Sequence, residues 1–281
     1  VLVAGCQTPP TRTYESNKNP FELIEAKTKK PIVLSEATVL VDVRSTFDFS
    51  VAHAPGAINL SWKEFLDPRA GTTGVSAGKL KTDMRDVMRK LALLGLQPET
   101  PLIVTGDDGN LVDMGRLAWT LMYLGFRDVQ TATLKSLKIR YSNLEEKPRE
   151  NVPVWSPTFR DEVFTTNKDF VRVLKLPRDA RIHLIDVRST EEYFSRDDKF
   201  RYQYPDVSAV HIEWKEFFTA SGRPNRKIAA KLKSITIDSK DRIYVLSQNG
   251  VRSAAVVYAL LSMGFSGATN VSGGYTELFV R

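Results

Sequence analysis

Residues 247–252 read Ser-Gln-Asn-Gly-Val-Arg and directly follow the apolar run Ile243-Tyr244-Val245-Leu246. A six-residue loop between a strand and a helix lets several backbone N–H groups converge with the helix N-terminus, which makes a cradle for an anion. Gly250 allows a positive φ in such a loop, and Arg252 is placed to close the ring as a charge-assisted donor. The members of the expected anion-binding loop are therefore Ser247, Gln248, Asn249, Gly250, Val251 and Arg252. The ligand expected there is a small anion of sulfate, thiosulfate or phosphate type. A hydroxyl at 247 would act as a hydrolytic nucleophile only with a base in reach and a third group to orient that base. The same half of the chain offers only His183 and His211, each inside a strand, and it lacks the Gly-x-Ser-x-Gly elbow. Ser247 is thus expected to line the loop as a small polar residue. Asp186 and Arg188 end another apolar strand and are expected to support the loop. The same pair occurs as Asp42 and Arg44, which favours a structural hydrogen-bonding role, with Arg188 also facing the anion.

Composition narrows the other possibilities. The 281 residues are 42% hydrophobic and 26% charged, proportions of a folded globular chain. No run of 18 apolar residues occurs, so no helical membrane span is expected. Forty Lys plus Arg against 33 Asp plus Glu leave a charge of +7, spread along the chain without a basic block. No nucleic-acid partner is expected from such a pattern. One cysteine, Cys6, excludes an intramolecular disulfide, and three histidines (His53, His183, His211) make a metal site or metal cofactor unexpected.

The elements that position the loop emerge when the chain is compared with itself. Leu40-Val41-Asp42-Val43-Arg44-Ser45-Thr46 returns as Leu184-Ile185-Asp186-Val187-Arg188-Ser189-Thr190. Trp62-Lys63-Glu64-Phe65 returns as Trp214-Lys215-Glu216-Phe217. Leu121-x-x-x-Gly125-Phe126 returns as Leu260-x-x-x-Gly264-Phe265, the three matches keeping their order at offsets of 144, 152 and 139 residues. The chain is therefore a duplicated α/β unit. In the first copy the patterns predict strands at 39–43, 57–60, 102–105 and 129–132, and helices at 79–94 and 114–124. The second copy predicts strands at 182–187, 209–212, 242–246 and 268–271, and helices at 227–234 and 252–263. Alternation of this kind implies two parallel sheets, each with helices on both faces. The expected division is a terminal segment (1–20), a first domain (21–142), a polar linker with three prolines (143–157) that Trp155 packs down, and a second domain (158–281). Trp62 and Trp214 are read as core aromatics, His53 as support for its Pro-Gly turn, and 196–199 as a solvated loop.

Asp186-x-Arg188, Ser247-x-x-Gly250-x-Arg252, Leu260-x-x-x-Gly264-Phe265 and Gly273-Gly274-Tyr275 together resemble the rhodanese domain, whose loop reads Cys-x-x-Gly-x-Arg. In the first copy His53-Ala54-Pro55-Gly56-Ala57, Asp107-Asp108, Gly115-Arg116 and Trp119 look like the amino-terminal half of tandem thiosulfate sulfurtransferases, a half that lacks the cysteine. The resemblance spans roughly residues 20 to 281. It implies thiosulfate or 3-mercaptopyruvate sulfurtransferase activity, in which a loop thiolate attacks a sulfane sulfur and becomes a persulfide. Ser247 stands where that thiolate belongs, and Asp107 stands at the comparable strand end of the first copy. Neither can carry a persulfide. The expectation is a rhodanese-fold protein that binds an anion or a partner without catalysis, the alternative being the family's sulfur transfer.

The first residues, Val1-Leu2-Val3-Ala4-Gly5-Cys6, resemble the end of a signal peptide with a bacterial lipoprotein box. Cys6 is accordingly expected to carry lipid, with residues 8–20 as a tether to a membrane of the bacterial cell envelope, facing the periplasm or exterior.

Overall fold

The protein is described by a computed structural model covering residues 13–14, 32–33, 37–67, 78–137, 149–177, 179–194 and 207–278. Cys6, most of the expected tether, residues 143–148 of the linker and the 196–199 loop lie outside these residues. A short antiparallel ribbon pairs Thr13–Tyr14 with Ile32–Val33.

The first domain comprises β1 (Val39–Asp42), α1 (Thr46–Val51), β2 (Ile58–Asn59), a 3-10 turn at Trp62–Phe65, α2 (Arg85–Leu93), β3 (Leu102–Thr105), α3 (Leu111–Tyr123), β4 (Val129–Thr131) and α4 (Leu134–Leu137). Its sheet runs in the order β2-β1-β3-β4 and is wholly parallel. Every residue of β1 and β3 is buried, as a central parallel strand covered on both faces requires.

The second domain repeats the plan and, among the described residues, adds a strand and a helix ahead of it. It contains β5 (Phe164–Thr165), α5 (Asn167–Leu174), β6 (Ile182–Asp186), α6 (Thr190–Phe194), β7 (Val210–His211), a 3-10 turn at Trp214–Phe217, α7 (Ile228–Ser234), β8 (Arg242–Leu246), α8 (Val251–Ser262), β9 (Ala268–Val271) and α9 (Gly274–Leu278). The sheet order is β7-β6-β8-β9-β5, again parallel throughout. Strand β5 adds an edge that the first sheet lacks among the described residues.

Two expected helices shift. Residues 79–84 are not helical, Leu80 being bridged antiparallel to Leu66, so α2 begins only at Arg85. The buried side chains Met84, Val87, Met88 and Leu91 still follow helical spacing. Helix α3 starts at Leu111, three residues before the expected Met114, because Asp107–Asn110 already turns as a 3-10 lead-in.

The domains share one core. Helices α3 and α8 lie against each other, and a Cβ on Gly115 would come within 2.7 Å of the Ala255 Cβ and 2.9 Å of the Phe218 ring. Glycine here permits an approach that any side chain would prevent. Each domain also sends a segment across the other. Gly222 O accepts from Thr131 Oγ1 at 2.6 Å and Ser221 O from Thr133 N at 2.8 Å. In the opposite direction, Gly78 of the first domain packs on Asn249 of the second. The segment before the second domain is pinned as expected, with Trp155 Nε1 donating to Leu96 O at 2.9 Å and its ring edge-on to Phe126.

Candidate functional site

The loop that follows β8 is closed by hydrogen bonds of its own. Ser247 is completely buried, and its Oγ accepts from Gly250 N (3.1 Å) and Ser253 N (3.3 Å). Ser253 Oγ donates to Asn270 Oδ1 at 2.6 Å. Its single proton is thereby committed, so in the 3.0 Å contact between the two serine hydroxyls Ser247 is the donor. The relay Ser247–Ser253–Asn270 ends on an amide oxygen, which does not serve as a base at neutral pH. Among the described residues nothing there can take the Ser247 proton. His183 instead pairs with Asp241 at 3.0 Å, and His211 faces the Arg188 carbonyl at 3.0 Å while stacking on Tyr193. Neither histidine of this domain therefore activates Ser247.

Gly250 takes φ +79° as the N-cap of α8, the left-handed turn expected of it, and a Cβ there would lie 2.8 Å from Gly273 N. From the other side the Gly273-Gly274-Tyr275 segment is bonded directly onto the loop. Tyr275 N donates to Ser247 O (3.0 Å), and both Thr276 N and Thr276 Oγ1 donate to Gln248 O (2.8 and 2.7 Å). Val251 N is taken by Asn249 Oδ1. The backbone N–H groups of Gln248, Asn249 and Arg252 have no hydrogen-bond partner among the described residues.

The charges differ from the expected cradle. Arg252 does not close the ring over the loop; it grips Glu192 at the start of α6 with both terminal nitrogens. Glu192 also accepts from Ser189 N at 2.8 Å. Burial works against its charge, but the bonds from Arg252 and Ser189 prevail and hold the carboxyl at about 2. Arg188 is bound to Asp186 by its backbone N–H, Nε and NH2 (2.9, 3.1 and 2.7 Å) and lies 4.3 Å over the Tyr275 ring. Burial, followed by the neighbouring Asp186, pushes the Tyr275 phenol far up. Arg44 and Asp42 repeat the bonding of Arg188 and Asp186 in the first domain, and Arg44 NH2 adds the Ala52 carbonyl. The structural reading of both pairs fits this geometry.

Strand register corrects one assignment. Thr105 pairs with Asp42, and Leu246 pairs with Asp186. The first-copy position equivalent to Ser247 is therefore Gly106, and Asp107 is one residue beyond it. A Cβ on Gly106 would meet Asn110 Cβ at 2.9 Å and Val43 Cγ2 at 3.0 Å. At that position the first loop carries no side chain, and one could enter only if Asn110 and Val43 gave way.

Of the remaining residues, Trp62 is buried and donates Nε1 to Asp113, as a core aromatic with a polar tip should. Trp214 is only half-buried at the edge of the core. His53 donates its Nδ1–H to the Phe49 carbonyl at 3.0 Å and stacks on the Phe49 ring, so it supports the end of α1 more than the Pro-Gly turn. Glu192, Ser253 and Asn270 were not singled out from the sequence. For Glu192 a signal existed: Ser189-x-x-Glu192 is a helix-start pattern that places the carboxylate beside the strand-end loop.

The sequence model of the rhodanese-like domain matches residues 20–132 and again 170–279. The chain belongs to the rhodanese-like family. No match is found among curated proteins. Among solved structures, this rhodanese-like chain superposes on the 3-mercaptopyruvate sulfotransferase SseA from Escherichia coli with a TM-score of 0.66 and 17% identity, covering 85% of this chain and 93% of that one. It also superposes on the anaerobic ergothioneine biosynthesis enzyme from Chlorobium limicola, in complex with trimethyl histidine, with a TM-score of 0.68 and 18% identity, covering 91% of this chain and 65% of that one. The wild-type structure of EanB gives 0.69 at 17% identity, with 91% and 64% covered. At these identities the likeness is one of fold, and the chain spans just under two thirds of the chain length in these last two structures.

Proposed function

We propose that this protein is a rhodanese-fold binding module that does not transfer sulfur through its 247–252 loop, and that lipid on Cys6 holds it at the bacterial cell envelope. The observation that carries the reading is the state of Ser247. Its proton is donated into a relay that ends on an amide, its lone pairs are taken by two backbone N–H groups, and no part of it reaches solvent. A hydroxyl so held is not activated, and oxygen cannot hold the persulfide that the chemistry needs.

A small anion at the loop would gain little from the two nearby arginines. Arg188 and Arg252 are both already neutralised by carboxylates. An anion at the loop would have to rely on the N–H groups of Gln248, Asn249 and Arg252.

The test is a thiosulfate-to-cyanide assay on the wild type beside Ser247→Cys. A thiolate at 247 would attack the sulfane sulfur, the S–S bond would break with its electrons leaving on sulfite, and cyanide would carry the sulfur away as thiocyanate. The two N–H groups now on Ser247 Oγ would stabilise that thiolate. The expected result is an inactive wild type with turnover gained in the variant. Turnover by the wild type would overturn the proposal.

A further inference from the structure

We infer that Arg116 is a positioning residue through which the first domain fixes the shape of the second domain's loop. Arg116 lies on α3, in the domain that has no nucleophile position of its own, and is 1% exposed. Its NH1 donates to Gly250 O at 3.2 Å and its NH2 to Gly78 O at 2.7 Å. One guanidinium thus bridges a first-domain backbone carbonyl and the carbonyl of the residue that turns the 247–252 loop into α8.

The surroundings show a group kept for geometry. No carboxylate pairs with Arg116 among the described residues, and its Nε is buried without a partner. Burial pushes its pKa down to about 9, which leaves it charged at neutral pH. Two indoles supply what compensation there is: the guanidinium carbon sits 4.8 Å from the Trp119 ring and 5.8 Å from Trp62. A buried, half-satisfied cation is costly and would be replaced without loss by a well-packed apolar side chain if packing were its only role.

What it holds is a weak point of the loop. Gly250 caps α8 without any side-chain hydrogen bond, and the first helical bond onto its carbonyl, from Ala254 N, is long at 3.4 Å. The Arg116 NH1 is the second donor to that carbonyl, and it sets the plane of the peptide that follows Gly250. The Gly78 carbonyl locates the other end of the bridge. Gly78 is so close to the loop that a Cβ would come within 2.2 Å of Asn249 O, and the neighbouring Lys79 reaches Glu277 of α9 at 3.9 Å. The loop is thereby clamped between Gly78 in front and Gly273-Gly274 behind, with Arg116 as the only side chain described that bonds to both Gly78 and the loop. This inference does not depend on whether the loop transfers sulfur.

The experiment is residue-resolved hydrogen exchange on the full chain, comparing wild type with Arg116→Met and Arg116→Lys. The N–H groups of Gly250 and Ser253, which are bonded to Ser247 Oγ, report the loop. Those of Ile243 and Val245 in β8 and of Ile103 and Val104 in β3 report the two sheets. A positioning role predicts that Arg116→Met accelerates loop exchange by about tenfold or more relative to both sheets, and that Arg116→Lys, which cannot span two carbonyls, does not restore it. Equal acceleration in loop and sheets, or no change in the loop, would overturn the inference. Should Arg116→Met fail to fold, Arg116→Lys, which keeps the charge but reaches only one of the two carbonyls, is read by itself. The same loop-selective acceleration is then expected, and its absence counts against the inference.

Discussion

Arg252 and Glu192 are 60 residues apart in sequence and face each other as a two-pronged ion pair, Arg252 NH2 lying 2.8 Å from Glu192 Oε1. The arginine that the sequence pattern assigns to an anion already has one, covalently supplied by the chain. Removing it should change what the loop can bind. Glu192→Gln is expected to tighten sulfate or thiosulfate binding by about tenfold, the gain of one freed charge-assisted donor pair, as read from saturable thermal shifts. Equal, negligible shifts in both proteins would mean that Arg252 is not a latent anion ligand.

The same pair gives a pH dependence of definite sign. The Glu192 carboxyl is held at about 2 against an ordinary value of 4.5, so the folded state binds its proton less readily than the unfolded state. Its contribution is complete above about 4.5 and is lost as pH falls toward about 2. The difference in urea-unfolding stability between wild type and Glu192→Gln should shrink across that window. For a partly exposed pair, a difference of about 1 kcal/mol at pH 7 is the scale expected.

Ser247→Ala tests whether the hydroxyl holds the loop together. The substitution strands Gly250 N, Ser253 N and one acceptor position on Ser253 Oγ inside the protein. A loss of about 1–3 kcal/mol is expected from unfolding curves, the cost of buried groups left without partners. A neutral effect would show that the relay contributes nothing to stability.

Asp186→Asn and Asp42→Asn should behave alike. Both carboxylates are fully buried under an arginine two residues ahead. Breaking either pair should cost about 3–5 kcal/mol, measured as a fall in the urea midpoint. A mild effect in the first domain and a severe one in the second would instead tie Asp186 to function.

The duplicated plan was legible because it is written in local patterns: β-branched runs, helical spacing and the repeated Leu-x-x-x-Gly-Phe stretch. The loop 247–252 and the left-handed turn at Gly250 were legible for the same reason. Helix α5 and strand β5 were not, since each is marginal alone and gains its place by packing, as Phe170 does against Tyr244. The partners of the loop were hidden by distance along the chain. Arg116 meets Gly250 across 134 residues and Gly78 across 38, and no periodicity encodes such a meeting. The sequence shows the charge of Arg252 but not the carboxylate of Glu192 that already occupies it.

The crowded glycine at 106 bears on the history open to each half of the molecule. At Ser247 the missing chemistry is a single atom, oxygen for sulfur, held among donors that would suit either. At Gly106 even a methyl group would press on Asn110 at 2.9 Å and on Val43 at 3.0 Å, so both must shift to admit it. The second half is thus one codon change from a thiol, whereas the first would have to rebuild its neighbours before any nucleophile could be tried. Reversion and divergence are unequal prospects in two domains that share one plan.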